Sequence, residues 1–301
     1  MKKTLAMMTA AMMVAGALAG CGSSSSTPAA TTAAATEKAT TAAATEAATD
    51  AATTEAAGDT AAAAEGTVKT PSGKFTVGFD QEFPPMGFVG DDGQFTGFDL
   101  DLAKEVASRL GLEFVPQPIN WDAKDMELDS GNIDCIWNGF TMQGREDAYT
   151  WVGPYMANNQ VFVVTADSDI ASKADLAGKA VEVQKDSSGL AALQGDAELS
   201  ASFGSMTEVA DYNTALMDLE SGACDAVCMD SIVAGYQIKS SGKDMKILDD
   251  TLAAEEYGIG FKKGEDELAK AVHDTLMEMK DDGTIAKISN DWFGSDVFTL
   301  K

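Results

Sequence analysis

An α/β fold in two halves, each built on a largely parallel sheet, is what this sequence predicts. Three observations lead there. From about residue 72 onward, short β-like runs alternate with helical periodicity. A phrase, "LDSGNID" at Leu128–Asp134, returns 91 residues later as "LESGACD" at Leu219–Asp225, too distant for a solenoid repeat. Everything before residue 72 has a composition that cannot build a core.

That first segment has two parts. "MKKTLAMMTAAMMVAGALAGC" sets two lysines before an apolar run and ends in small residues, the anatomy of a secretory signal over residues 1–20. Its apolar run, residues 5–20, is shorter than the roughly 20 residues of a membrane-spanning helix. "LAGC" resembles a bacterial lipobox, which implies cleavage before Cys21 and lipid on its thiol. Residues 21–71 are almost entirely Ala, Thr, Ser and Glu, with no aromatic residue. Such a chain buries too little apolar surface to offset its entropy. It reads as a tether with an end-to-end distance of roughly 40 Å.

The foldable part divides as 72–163, a first lobe; 164–252, a second; and 253–301, helices returning to the first. "KFTVGF" (74–79) alternates as a strand, and "FVGDDGQFTGF" (88–98) reads as a hairpin. "FDLDLAKEVASRLG" (98–111) is a helix: Phe98, Leu102, Val106 and Leu110 recur at i+4, acids open it, Arg109 closes it and Gly111 stops it. The prolines of "LEFVPQPI" mark an edge or a bend. A short helix (122–129) leads into the first phrase and the apolar strand "IDCIWNGF" (133–140). "QVFVVTA" (160–166) is a strand, "KAVEVQKDSSGLAAL" (179–193) a strand, turn and helix, and "SMTEVA" (205–210) a strand. A helix (212–219) precedes the second phrase and the strand "CDAVCMD" (224–230). A helix near 231–239, a strand "MKIL", a strand "YGIGFKK", a helix (265–283) and a last helix into "NDWFG" complete the chain.

Charge and cysteines limit the function. The formal charge of −27 repels nucleic acid and anionic lipid. With Cys21 lipidated, Cys135, Cys224 and Cys228 remain, an odd number that argues against a disulfide framework and reads as small buried apolar residues. No P-loop and no GxGxxG is present, and the single His273 sits mid-helix. A Ser-His-Asp or Cys-His machine therefore lacks a base. No metal or cofactor is expected.

Ligands of open α/β sheets sit beyond the carboxyl ends of strands. Gly139 and Asp230 each lie five residues past the end of a phrase, at equivalent points of the two halves. Arg145 is one of two arginines against 19 lysines, in a polar turn after a buried strand. Guanidinium suits bidentate carboxylate recognition; a surface pair with Glu146 or Asp147 is the plainer alternative. The turn around Ser187 and Ser188 opens a helix whose N–H groups favour an anion, or is simply an N-cap. Asp230 and Asp80, each at a strand end, could accept from an ammonium or merely shape a turn. Phe83 and Trp121 follow strands, where they could flank a ligand or fill core.

At these residues the chain resembles family 3 of the bacterial extracellular solute-binding proteins, the amino-acid-binding components of ABC importers. "FTVGFDQEFPPMGF", "GQFTGFDLDLAKEVASRLG", "SGNIDCIWNGFT", "GPY", "LAGKAVEVQKDSSG", "DAVCMD", "YGIGFKKG" and "DWFG" stand in that family's order and spacing over about 74–294. The resemblance implies a two-lobed periplasmic-binding-protein fold of type II with two hinge crossings. It places Phe83 and Trp121 beside the ligand. It places Gly139, Thr141, Arg145 and Ser188 at the ligand's α-carboxylate, with Ser187 next to them. Asp230 falls at its α-ammonium and Asp80 at its polar end. The family commonly has four residues between that Thr and Arg; here three intervene, one of them Gly144.

The expectation is a non-enzymatic monomer, lipid-anchored to the outer face of the cytoplasmic membrane, that delivers a free amino acid to an ABC permease. Two alternatives share the fold. One is a cyclohexadienyl dehydratase with an acid such as Glu82; the other is a ligand-sensing surface lipoprotein.

Overall fold

The computed structural model describes Thr70 and residues 72–301. The leader, Cys21 and the tether lie outside the described residues.

Strand β1 (Lys74–Phe79) is followed by a small three-stranded sheet, β2 (Glu82–Phe83), β3 (Gly87–Val89) and β4 (Phe95–Thr96), that contains the expected hairpin. Helix α1 (Phe98–Leu110) ends at Gly111 in the left-handed conformation. β5 (Glu113–Pro118) is the sheet's edge, as its prolines predicted. Helix α2 (Lys124–Ser130) leads to β6 (Cys135–Thr141) and then to a 17-residue strand, β7 (Tyr149–Thr165). The second half runs β8 (Ala180–Gln184), α3 (Ser188–Gly195), α4 (Ala197–Ser202), β9 (Ser205–Val209), α5 (Tyr212–Ser221), β10 (Ala226–Asp230) and α6 (Ser231–Ser241). An 18-residue strand, β11 (Met245–Lys262), and helices α7 (Asp266–Asp281) and α8 (Thr284–Phe293) follow.

One sheet carries both halves, in the order β5-β1-β6-β11-β7-β10-β8-β9. β5, β1 and β6 are parallel, as are β10, β8 and β9. The long strands β7 and β11 run antiparallel to each other between the two sets. Here the sequence misled. "MKIL" and "YGIGFKK" are one strand, and β7 begins eleven residues before "QVFVVTA". The polar stretches DDTLAAEE and YMANN masked the continuity. An antiparallel crossing strand needs no unbroken apolar run, and register shifts at Ile247–Thr251 and Thr251–Ala253 absorb the irregular part.

Strand periodicity sorts side chains into two layers. Val161 and Val163 of β7, with Val227 and Met229 of β10, join one core. Phe162 and Val164, with Ala226 and Cys228, join the other. Each such fully buried large aliphatic or aromatic side chain contributes roughly 1.5–3 kcal/mol. Cys135, Cys224 and Cys228 are free thiols buried among these residues.

The repeated phrase has one structural job done twice. Gly131 and Gly222 take left-handed C′ positions at φ 76° and 79°. The next N–H groups, Asn132 and Ala223, return to the carbonyls of Glu127 and Asp218, a Schellman closure. Asp134 then clamps Thr76: its N–H donates to the Thr76 carbonyl (2.8 Å) and its carboxylate accepts the Thr76 N–H (2.6 Å). Asp225 does the same to Ala180, at 2.8 Å for both bonds. Each phrase pins a helix-to-strand turn onto the neighbouring parallel strand, and so fixes where β6 and β10 deliver their last residues.

Candidate functional site

Those two strands end at a shared cavity of about 10 Å³, lined by residues of both halves. The first half supplies Phe83, Trp121, Gly139, Thr141 and Arg145; the second supplies Ser187, Ser188, Asp230 and Gln184. Eight of the nine ligand-contact residues expected from the sequence therefore meet. The ninth, Asp80, stands behind Gln184, whose Nε2 donates to Asp80 Oδ2 at 2.7 Å. Asp80 lines a neighbouring cleft of about 1000 Å³, together with Glu82 and Trp121. Thr141, Arg145, Ser188 and Glu255 line another, of about 800 Å³.

The cavity's positive side is built from a tight turn. Arg145 N–H donates to the Met142 carbonyl at 3.0 Å, and Gly144 at φ 78° occupies the turn position that favours glycine. The turn brings the guanidinium back over the Phe140 ring (5.1 Å) and onto the Thr141 carbonyl (3.2 Å). Nη2 reaches across to the Asp186 carbonyl at 3.4 Å. Opposite, Ser187 N-caps α3 by accepting the Leu190 N–H at 3.0 Å. Its hydroxyl is thus committed to the helix, and Ser188 at the first helical position faces the cavity. Thr141 Oγ1 donates to Ser188 Oγ at 3.1 Å, joining the halves.

The negative side is Asp230. Tyr257 OH (2.7 Å), Tyr212 OH (3.2 Å) and Asn158 Nδ2 (2.6 Å) all donate to it. Burial, then the neighbouring Glu255, pushes its carboxyl well above the ordinary range. Asp80, also buried, is pushed up to about 6 against hydrogen bonds from Glu82 N–H and Gln184. Aromatic walls complete the cavity: Phe83 tilts against Tyr212 across the halves at 5.8 Å, and Trp121 meets Phe140 edge-on at 5.5 Å.

Gly139 contributes differently from the sequence expectation. Its N–H donates to the buried Asp99 at 2.7 Å and so faces away from any ligand. Its φ is 57°, and a methyl group on its Cα would stand only 3.0 Å from the Phe83 ring, which together explain the glycine. Two ion pairs cross the rim: Lys124, 2 % exposed, to Asp186, and Lys185 to Asp122 at 2.6 Å. Glu82 accepts from Asn213 of α5 and lies outside the cavity. His273 sits half-exposed on α7 beside Asp274.

Sequence reasoning missed Asp99, Asn158, Gln160, Gln184, Glu255 and the tyrosines 212 and 257. A signal existed for several. Asp99 stands three and four residues before Leu102 and Ala103, inside the apolar stripe of α1. Glu255 shares the period-two face of Tyr257, Ile259 and Phe261.

Residues 75–295 match the profile of the bacterial extracellular solute-binding proteins, family 3. The chain belongs to this family. The L-cystine-binding protein TcyJ of Escherichia coli is 31 % identical over 231 residues, which cover 75 % of this chain and 84 % of that protein. The L-cystine-binding protein TcyA of Bacillus subtilis is 32 % identical over 229 residues, covering 75 % and 83 %. Among solved structures, an ABC uptake transporter substrate-binding protein from Streptococcus pneumoniae with bound histidine superposes with a TM-score of 0.74 at 34 % identity. That match covers 76 % of this chain and 96 % of the other. An ancestral arginine-binding protein bound to arginine gives 0.69 at 36 % identity, covering 74 % and 99 %. The fold of this family-3 protein is thus the type II arrangement of periplasmic binding proteins, with β7 and β11 as its two crossings.

Proposed function

We propose that the protein is a lipid-anchored extracytoplasmic receptor that closes on a free amino acid and delivers it to an ABC permease. The observation that carries this reading is the cavity itself. A guanidinium and a helix N-terminus stand at one side and a buried carboxylate at the other, with aromatic rings between. Arg145, Thr141 and Ser188 hold the α-carboxylate, Asp230 holds the α-ammonium, and Phe83 and Trp121 flank the carbon skeleton. Ser187 acts through its cap, and Gly139 through the close approach of its backbone. Asp80 and Gln184 read the far end of the side chain, and the cystine-, histidine- and arginine-binding relatives suggest a polar or charged one.

Opening accompanies entry, because about 10 Å³ holds one water and no amino acid. The hinge is the pair of segments Ala157–Asn159 and Ala254–Glu256, which pair with each other. β6 pairs with β11 only from Tyr257, and β10 with β7 only from Gln160. On this reading the two lobes meet within these segments, with residues 253–301 returning to the first lobe.

A thermal-shift screen of the common amino acids and cystine tests the function. A true ligand at 100 times its dissociation constant stabilises by about 2.7 kcal/mol, so one or a few should raise the melting temperature by several degrees. A flat response across the whole set would sink the reading. The anchor is tested separately. Cys21→Ala should abolish incorporation of labelled fatty acid into the protein in growing cells. Unchanged fatty-acid labelling of the variant would refute lipidation at Cys21.

A further inference from the structure

Glu255 is a buried acid at the hinge, beside Asp230 and held by three neutral donors. It lies directly across the β7–β11 ladder from Asn158. Its carboxylate accepts from Asn158 Nδ2 (2.6 Å), Gln160 Nε2 (2.9 Å) and Ser188 Oγ (3.4 Å). Asn158 cannot turn its amide round. Its Oδ1 already accepts the Ser231 hydroxyl (3.1 Å) and the Ile232 N–H (3.3 Å) at the start of α6. The Asn158 NH₂ group is therefore fixed between two carboxylates, Glu255 on one side and Asp230 on the other. Gln160 Nε2 likewise ties Glu255 to Ser188, at 3.1 Å from the hydroxyl. One carboxylate thus touches the partners of both the proposed ammonium acceptor and the proposed carboxylate donor, and does so on the crossing strand.

We infer that Glu255 is a positioning residue for ligand binding: it orients Ser188 and Asn158, and its closeness favours on Asp230 a proton that the ligand's ammonium displaces. The inference rests on the reading of the site as an amino-acid receptor. Asp230 is bridged to Glu255 by one amide, and burial with that neighbour favours its protonated form. The other titratable or charged groups facing the pair are Tyr212, Tyr257 and Cys228, together with Arg145 on the same cleft wall as Glu255. The phenols and the thiol are all held protonated by burial, which leaves Asp230 as the group that gives up the proton. An arriving ammonium supplies the positive charge that the proton had supplied, so the proton leaves to buffer.

The experiment is calorimetry of the full folded chain at pH 7 with the amino acid found by the thermal-shift screen, in buffers of different ionisation enthalpy. The wild type should release a substantial fraction of a proton per ligand bound. Glu255→Gln keeps shape and hydrogen-bonding capacity but removes one charge. It should release far less, and at pH 8 it should bind about tenfold more weakly, the equivalent of one charge-assisted hydrogen bond. Weaker binding with unchanged proton release would make Glu255 merely structural and overturn the inference. So would wild-type affinity and release in the variant. If the variant does not fold, the wild type alone still decides: zero proton release at pH 7 overturns the displaced proton on Asp230. Failure of every amino acid to bind the wild type would instead remove the receptor reading.

Discussion

Arg145→Ala should abolish amino-acid binding while leaving the fold intact. The guanidinium is half-buried, and its own contacts in the protein are few: the Thr141 carbonyl, the Asp186 carbonyl and the Phe140 ring. Two carbonyls at the edge of a wet cleft recover hydrogen bonds from water, so the melting temperature should move by no more than a few degrees. Binding is different. The α-carboxylate would lose its only cationic partner among the residues lining the cavity. Removing one partner of a buried charge pair costs roughly 3–5 kcal/mol, which is about two to four orders of magnitude in affinity. Arg145→Lys should recover only part of this, since an ammonium lacks the planar fork that meets both carboxylate oxygens. Isothermal calorimetry on the two variants gives the answer. An alanine variant within about threefold of wild type, or roughly 0.7 kcal/mol, would mean that the carboxylate lies elsewhere.

The largest loss of stability is expected at Asp99. Its side chain is fully buried and accepts from Tyr155 OH at 2.8 and 2.9 Å and from Gly139 N–H at 2.7 Å. Asp99→Ala strands both donors, and each buried orphan costs roughly 1–3 kcal/mol. For a domain of this size, each kcal/mol lowers the melting temperature by about 2–4 °C, so a fall of roughly 5–20 °C should follow. The Gly139 peptide, which shapes the cavity floor, loses its anchor at the same time.

Asp99 also predicts a pH dependence. Burial pushes its carboxyl up to about 7, against the hydrogen bonds from Tyr155 and Gly139; unfolded, it titrates at about 3.9, as an ordinary aspartate does. Between those values the native state binds more protons than the unfolded state. Stability therefore falls as pH rises through that window, by roughly 3–4 kcal/mol from this group. Asp80 and Asp230, also raised, act in the same direction. Asp99→Asn has no proton to lose. Its urea-unfolding free energy should fall less than the wild type's between pH 4.5 and pH 7. Parallel pH slopes in the two proteins would rule out Asp99 as a source of the effect. Ligand affinity should run the other way, since an ionised Asp230 is the better ammonium acceptor. These three groups should therefore favour the folded protein in mild acid and ligand binding above neutrality.

Much of this was legible in the chain. The α1 stripe of Phe98, Leu102 and Val106, the glycine stops at 111, 131 and 222, and the prolines of the edge strand are local signals with local causes. The helix-to-strand phrase was visible twice because the same turn must be closed twice. The crossing strands were not legible. Their middles are polar and irregular, since they pair with each other and present one face to a cleft. Composition there mimics a loop.

Most elements and the fold class could be read from residue order alone; Arg145 and Asp230 stood beside plainer alternatives until the family resemblance was added. The elements follow from short-range periodicity and from residue types that have few uses. Which polar groups those two residues answer to emerged only once the chain was folded. Asp99 turns inward to hold Gly139, Gln184 reaches from one half to Asp80 in the other, and Glu255 meets Asn158 across the hinge. Each of these contacts joins residues separated by 40 to 104 positions. A carboxylate's role is set by the donors around it and by the water excluded from it, and neither is written in its neighbours along the chain.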